Sequence, residues 1–149
     1  MWRQLAPNQV FILIAPGFEE KQTVHFLSSM REAGIPVSLI GLSADDISGL
    51  HGIMVHPDYA LGEIPAHEAG ALVVMPGGRQ CISGLMADPR VHQLLQNTVT
   101  QQGYIAATKS AENILPHTHF KNILTCENFK PQGEMEFNEF TDHLIKLVS

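Results

Sequence analysis

Apolar residues fall into short continuous runs along this chain. Residues 10–15 are a β-favouring run, a pattern typical of a strand that is covered on both faces of a parallel sheet. Runs of the same kind occupy residues 37–42, 71–75 and 104–108, with shorter runs at 53–55 and 123–125. We predict strands at these positions, residues 53–55 forming an edge strand or a hairpin.

Apolar residues at helical spacing lie between and after these runs. Residues 20–33 carry apolar side chains on adjoining helical rows, including Val24, and Gly34 ends this helix. Asp88 is predicted to cap a second helix that has Pro89 at its first position. The apolar face of a closing helix comprises Phe137, Phe140, Leu144, Leu147 and Val148.

The alternation of strands and helices predicts an α/β fold. We expect a three-layer α/β/α sandwich with a mostly parallel, flavodoxin-like sheet. Residues 1–149 contain no repeat, low-complexity tract or linker, which indicates a single domain. Ligands of such sheets bind at the carboxyl ends of the strands, where the loops 16–20, 76–81, 108–110 and the segment after Thr125 would converge.

Composition and charge exclude several function classes. The 149 residues are 44% hydrophobic and 16% charged, which is typical of a soluble globular protein. Nine basic and fifteen acidic residues give a net charge of −6. Because nucleic acids and anionic membranes require clustered positive charge, the scattered Lys and Arg residues disfavour both partners.

Export and membrane insertion are also disfavoured. The longest apolar stretch, residues 10–15, is far shorter than the roughly 20 residues that span a bilayer. Pro16 and Gly17 follow it where a signal peptide would have its cleavage site. Cys81 and Cys126 have no metal-binding spacing and can form one bridge at most, so we predict a cytoplasmic protein with free thiols.

Four motifs in this order resemble the ThiJ/PfpI superfamily, which is related to class I glutamine amidotransferases. They are A-P-G-F-E-E at 15–20, R-E-A-G at 31–34, M-P-G-G at 75–78 and G-Y-I-A-A-T-K-S-A at 103–111. Together they are a strong signal, although each alone is weak. The resemblance implies the sandwich fold predicted above.

In enzymes of this family, a tight strand-to-helix turn carries a cysteine nucleophile. We call this turn, residues 108–110, the elbow; its matching position here is Lys109. Glyoxalase-type members also have an acidic residue on the first helix, and the matching position is Gln22. An ammonium group cannot act as a thiolate does, and Gln22 cannot transfer a proton. The resemblance therefore predicts that the catalytic pair is lost.

The chain is also shorter than typical members between about residues 115 and 135. In the family this region holds a further strand and a pocket histidine. If 123–125 matches the last sheet strand, the histidine is absent; if it matches the earlier strand, Cys126 falls near the histidine's place. We favour the first alignment because the closing helix follows so soon.

The family's backbone cradle does not depend on those side chains. By resemblance, the amides of Gly78 and Ser110 match its oxyanion donors, and such amides suit a carboxylate or a phosphate. Arg79 is either an additional positive charge at this cradle or a surface residue. The expected ligand is a small anion at Gly77, Gly78, Arg79, Lys109 and Ser110.

Lys109 has two interpretations. A partly desolvated lysine near other cations is a carbonyl nucleophile that forms Schiff bases. The favoured interpretation is that Lys109 fills the former cysteine pocket and pairs with Glu19 or Glu20 without turnover. These two acids are otherwise expected to complement the dipole of the first helix, and Gln22 to be a solvated or hydrogen-bonded helix residue.

No metal or cofactor is predicted. His117 and His119 would point the same way on a strand, but no further ligand lies at short spacing, so a surface loop is favoured. Cys81 and Cys126 are expected to be buried free thiols rather than relocated nucleophiles.

The sequence favours a non-catalytic ThiJ/PfpI-like protein that binds a small anion at the elbow. The alternative is an enzyme on small carbonyl compounds or amides, glyoxalase-, deglycase- or amidase-like, that uses Lys109. A third interpretation is a structural partner: family members are commonly homodimers, and surfaces uncovered by the short 115–135 region would need covering.

Overall fold

The computed structural model describes residues 6–112 and 127–149. Its strands are β1 Val10–Ile14, β2 Val37–Gly41, β3 Ile47–Ser48, β4 Met54–Val55, β5 Tyr59–Ala60, β6 Leu72–Met75, β7 Tyr104–Ala107 and β8 Phe129–Pro131. Its helices are α1 Glu20–Glu32, a 3₁₀ turn Leu61–Glu63, α2 Arg79–Met86, α3 Pro89–Thr100, α4 Lys109–Glu112 and α5 Phe137–Val148. No helix in these ranges is long and apolar enough to cross a membrane.

Six strands form the central sheet in the order β5-β2-β1-β6-β7-β8, and every pairing is parallel. The chain runs outward from β1 to β5, then returns across β1 to build β6, β7 and β8. The strand order therefore reverses between β1 and β6, which is where ligands of open α/β sheets bind. The prediction of a mostly parallel α/β sheet is confirmed.

Strand β1 lies inside the sheet and is covered by helices on both faces. All five residues of β1 are buried, as expected for a strand with helices on both faces. On one face, α1 packs on α5, with the Phe26 ring 4.9 Å from the Phe137 ring and 6.4 Å from the Phe140 ring. On the other face, α2 packs on α3 and β1, and α3 packs on β6 and β7.

Local signals in the sequence locate several element boundaries correctly. The Asp88 carboxylate accepts a hydrogen bond from the Arg90 amide at 2.8 Å, which confirms the predicted cap of α3. The expected hairpin is present as β3 paired antiparallel with β4, apart from the main sheet. The Arg90 side chain also bonds Asp88 and lowers the pKa of its carboxyl.

One expectation about the elements needs correction, and two elements were not predicted. Val24 was expected on the apolar face of α1, yet it is 53% exposed because α5 covers the Phe26 side of that helix. Helix α2 was not predicted; its apolar face has only two turns, too few for a periodicity signal. Strand β8 was not predicted either, and the strand expected at 123–125 lies outside the described residues.

Candidate functional site

The turns that follow β1, β6, β7 and β8 meet at the carboxyl edge of the sheet. The Glu19 amide donates to the Gly77 carbonyl at 2.9 Å, which joins the turn after β1 to the turn after β6. The Lys109 amide donates to the Gln132 side-chain oxygen at 2.9 Å, which joins the elbow to the turn after β8. The structure thus brings together the loops at 16–20, 76–81 and 108–110.

Two glycines permit this close approach. Gly78 has φ +113°, and a Cβ built on it would overlap the carbonyl oxygen of Gly17. A Cβ on Gly77 would overlap the Ser110 hydroxyl. A side chain at Gly78 would require a neighbouring turn to move, whereas one at Gly77 would require the Ser110 side chain to rotate away.

The backbone amides of Gly78 and Ser110 flank this contact. In the described parts of the chain, neither N–H donates to a carbonyl or a side chain. Gly78 is also the N-cap of α2, and no side chain caps that helix end. Both amides remain available to an acceptor, as the cradle expected from the sequence requires.

The Lys109 side chain does not occupy a pocket. It is 59% exposed, and its Nζ lies 3.9 Å from an oxygen of Glu134, which is itself 98% exposed. The expected pairing with Glu19 or Glu20 is therefore wrong: the start of α4 directs Lys109 toward the turn after β8. Arg79 is also exposed, at the first position of α2.

Gln22 faces the cradle from α1. Its side-chain oxygen accepts a hydrogen bond from the Gly77 amide at 3.2 Å. Of the two roles left open for Gln22, the structure shows the hydrogen-bonded one.

Glu19 and Glu20 separate into two roles. Glu19 is the N-cap of α1, where its carboxylate accepts from the Lys21 amide at 3.2 Å. Glu20, expected with Glu19 to complement the dipole of the first helix, is buried at the start of α1 and turned toward the β3–β4 hairpin. There it accepts from the amides of His51 at 2.7 Å and Ile53 at 3.2 Å, and lies 2.9 Å from the His51 ring nitrogen.

These contacts set the ionisation of Glu20. Burial acts to raise the pKa of its carboxyl, but the hydrogen bonds from the His51 ring and from backbone amides outweigh burial. The pKa falls from 4.5 to about 2. Glu20 therefore stays ionised and holds the hairpin against α1.

Glu19, Glu20 and His51 are also the one group in the described ranges with the composition of a metal site. One ligand atom from each lies within 4.8 Å of the others. However, Glu20 already accepts hydrogen bonds within the fold, which accounts for its position without an ion. The histidines His117 and His119 lie outside the described residues.

Cys81 is a buried free thiol on α2, as predicted. Burial raises the pKa of its thiol to about 12, although a hydrogen bond with the Ala15 backbone acts in the opposite direction. A thiol of this pKa is protonated at neutral pH and is a poor nucleophile. Cys126 lies outside the described residues.

Gln132 and its turn were missed at the sequence level. The Gln132 side chain accepts a hydrogen bond from the Lys109 amide and donates one to the Met135 carbonyl at 2.9 Å. The Gly133 amide donates to the Glu112 carboxylate at 3.1 Å. The available signal was Pro131 followed closely by Gly133, a turn-forming pair directly before the closing helix.

Comparison with known proteins gives the same family by two routes. A family model described as DJ-1/PfpI family matches residues 8–132. The Parkinson disease protein 7 homolog of Danio rerio is 32% identical over 106 residues, which are 69% of this chain and 55% of that protein. A deglycase of Thermococcus kodakarensis is 38% identical over 71 residues, 48% of this chain and 42% of that protein. The chain thus spans about half the length of these two relatives.

Solved structures share the fold. The crystal structure of Drosophila melanogaster DJ-1beta has a TM-score of 0.78 at 20% identity, covering 96% of this chain and 91% of that one. A DJ-1 superfamily protein from Salmonella typhimurium has a TM-score of 0.70 at 24% identity, covering 83% and 73%. These likenesses confirm the α/β sandwich.

The Glu20 contacts predict a pH-dependent stability. Because the folded-state pKa lies below the ordinary value, the stability that Glu20 contributes is fully present above pH 4.5 and is lost as the pH falls toward 2. We expect Glu20→Gln to unfold at lower urea concentration than the natural protein at pH 6. The difference should narrow between pH 4.5 and the acid limit of folding. Glu139→Gln, on the exposed side of α5, is the control. If the natural protein and Glu20→Gln differed by the same urea concentration at every pH, this assignment would be contradicted.

Proposed function

The chain belongs to the DJ-1/PfpI family, and from that membership we propose that it is a non-catalytic binding protein whose elbow holds a small anion. The observation that carries this proposal is the pair of open amides, Gly78 and Ser110, beside a position where Lys109 stands in place of a nucleophile. Backbone donors bind an anion without any reaction of the protein.

The charges around the cradle support this ligand class. Arg79 and Lys109 are exposed and lie next to Gly78 and Ser110 in the chain, so both add positive charge near the cradle; in the structure the Lys109 ammonium faces Glu134. Of the described α1 side chains near the cradle, Gln22 is neutral and the Glu20 carboxylate is turned toward His51.

The groups that carry catalysis in enzymes of this family, a thiol nucleophile and a proton-transferring acid, are not found at the described elbow. Within the described residues, the elbow offers no thiol, and Cys81 is buried on α2 with a raised pKa. Gln22 has no proton to transfer at neutral pH. The deglycase among the relatives favours one enzymatic alternative, an activity on small carbonyl compounds through Lys109. A Schiff-base lysine is activated by desolvation or by neighbouring cations, whereas Lys109 is mostly exposed and faces Glu134.

Anion binding is tested by titration with sulfate. We expect the backbone amide resonances of Gly78 and Ser110 to move first and to saturate. Lys109→Ala and Arg79→Ala should each weaken binding by about two- to five-fold, the usual contribution of an exposed charge. Lys146→Ala, which removes a lysine from α5, should leave the affinity unchanged. If the amide resonances of Gly78 and Ser110 showed no saturable chemical-shift change at millimolar sulfate, the proposal of an anion site would be wrong.

The enzymatic alternative is tested by borohydride trapping with methylglyoxal, followed by peptide mapping. We expect Lys109 to be labelled no faster than the exposed Lys21 and Lys146, because its ammonium is solvated. A reduced adduct that forms much faster at Lys109, and is absent from Lys109→Ala, would instead establish the lysine as a reactive amine.

We also propose that the chain forms a homodimer through an exposed apolar surface. This surface comprises Val24 of α1 and Leu50, Ile53 and Met54 of the β3–β4 hairpin, each between 53% and 58% exposed. Val24 and Ile53 line one groove, so the helix and the hairpin present a continuous face.

Sedimentation velocity at micromolar concentration tests the dimer. The natural protein should sediment as a dimer, and Val24→Asp as a folded monomer, because the substitution places a charge in the apolar contact. Thr100→Asp, on the exposed side of α3, should remain dimeric. A monomeric natural protein, or a dimeric Val24→Asp, would exclude this interface.

A further inference from the structure

We propose that Gln22 determines the charge selectivity of the anion cradle. Its side-chain oxygen holds the Gly77 amide, which leaves its NH₂ group to donate to a bound oxyanion. A carboxylate in the same place would repel that ligand. The inference rests on the proposed function and assigns Gln22 as a specificity-determining residue within it.

The hydrogen bond to Gly77 sets the orientation of the carboxamide. A backbone N–H only donates, so the atom 3.2 Å from it must be the carbonyl oxygen of Gln22 and not the nitrogen. The opposite end of the group is consequently the NH₂ end. Gln22 is half-buried, and the hydrogen bond to Gly77 orients its carboxamide.

The NH₂ group is not used elsewhere in the described part of the chain. Its two N–H donors have no acceptor there, while the oxygen of the same side chain has one. This donor is therefore free to hydrogen-bond an oxygen atom of a ligand.

The carboxamide lies next to the elbow. A Cβ built on Gly77 would contact both the Gln22 oxygen and the Ser110 hydroxyl, so these two groups approach the same side of Gly77. The Ser110 hydroxyl lies 3.4 Å from the Thr108 hydroxyl and can turn to donate. The Gln22 oxygen, the Gly77 backbone and the Ser110 hydroxyl therefore lie around one small space.

Glutamine and glutamate have the same shape, and either supplies an oxygen acceptor to Gly77. They differ in the second head-group atom, which is a donor in the amide and a negatively charged acceptor in the carboxylate. The chemistry that fits the amide is an oxyanion, such as a carboxylate or a phosphate group. Protonation of a carboxylate at this position would restore a donor.

The test is the affinity for sulfate of the natural protein and of Gln22→Glu between pH 4.5 and pH 8. Sulfate keeps its charge throughout this range, so any pH dependence comes from the protein. At pH 7.5 we expect Gln22→Glu to bind about tenfold more weakly, the usual effect of replacing a donor to a charged group. The difference should close toward pH 4.5, where the introduced carboxyl becomes protonated.

Gln96→Glu, on the exposed side of α3, adds the same charge away from the cradle and should bind as the natural protein does. Equal affinities of the natural protein and Gln22→Glu at pH 7.5 would overturn the role of Gln22 and leave the anion site standing. A loss of the same size at every pH would also overturn it, since it would indicate a structural effect only. No binding by the natural protein would remove the proposed function and this inference together.

Discussion

The absence of side chains at Gly77 and Gly78 is the constraint on which the site depends. The Gly17 carbonyl and the Ser110 hydroxyl occupy the volumes that Cβ atoms would take. The turns after β1 and β6 therefore contact each other directly through backbone, and the turn after β7 reaches Gly77 through the Ser110 side chain. The amides of Gly78 and Ser110, on which the proposed anion cradle depends, belong to the backbone, so their donors do not depend on which side chain residue 109 carries.

The architecture could be predicted because its signals are local and strong. The buried run that became β1 and the Asp88 cap of α3 act over a few residues, and both are present as expected. The site was predictable only in its backbone part. The partners of Lys109 and Glu20 could not be derived, because Glu134 and His51 reach them through loops whose course no periodic pattern determines.

Glu20 links two regions that would otherwise be independent. The residue begins α1 one position after Glu19, whose amide is bonded to Gly77, and its carboxylate holds the hairpin that carries Ile53. The proposed anion cradle and the exposed apolar face thus share a single helix N-terminus. A structural change at the cradle or at the apolar face that displaces the start of α1 would therefore also displace the residues of the other region.

The two edges of the described sheet have a consequence for self-association. One edge is β5, only two residues long, and the other is β8, which is three residues long and ends at Pro131, a residue without a backbone N–H. Short edges and a proline offer little template for an incoming strand. These edges disfavour the pairing of strands from two copies of the chain. They therefore also disfavour the repeated strand addition that builds fibrils.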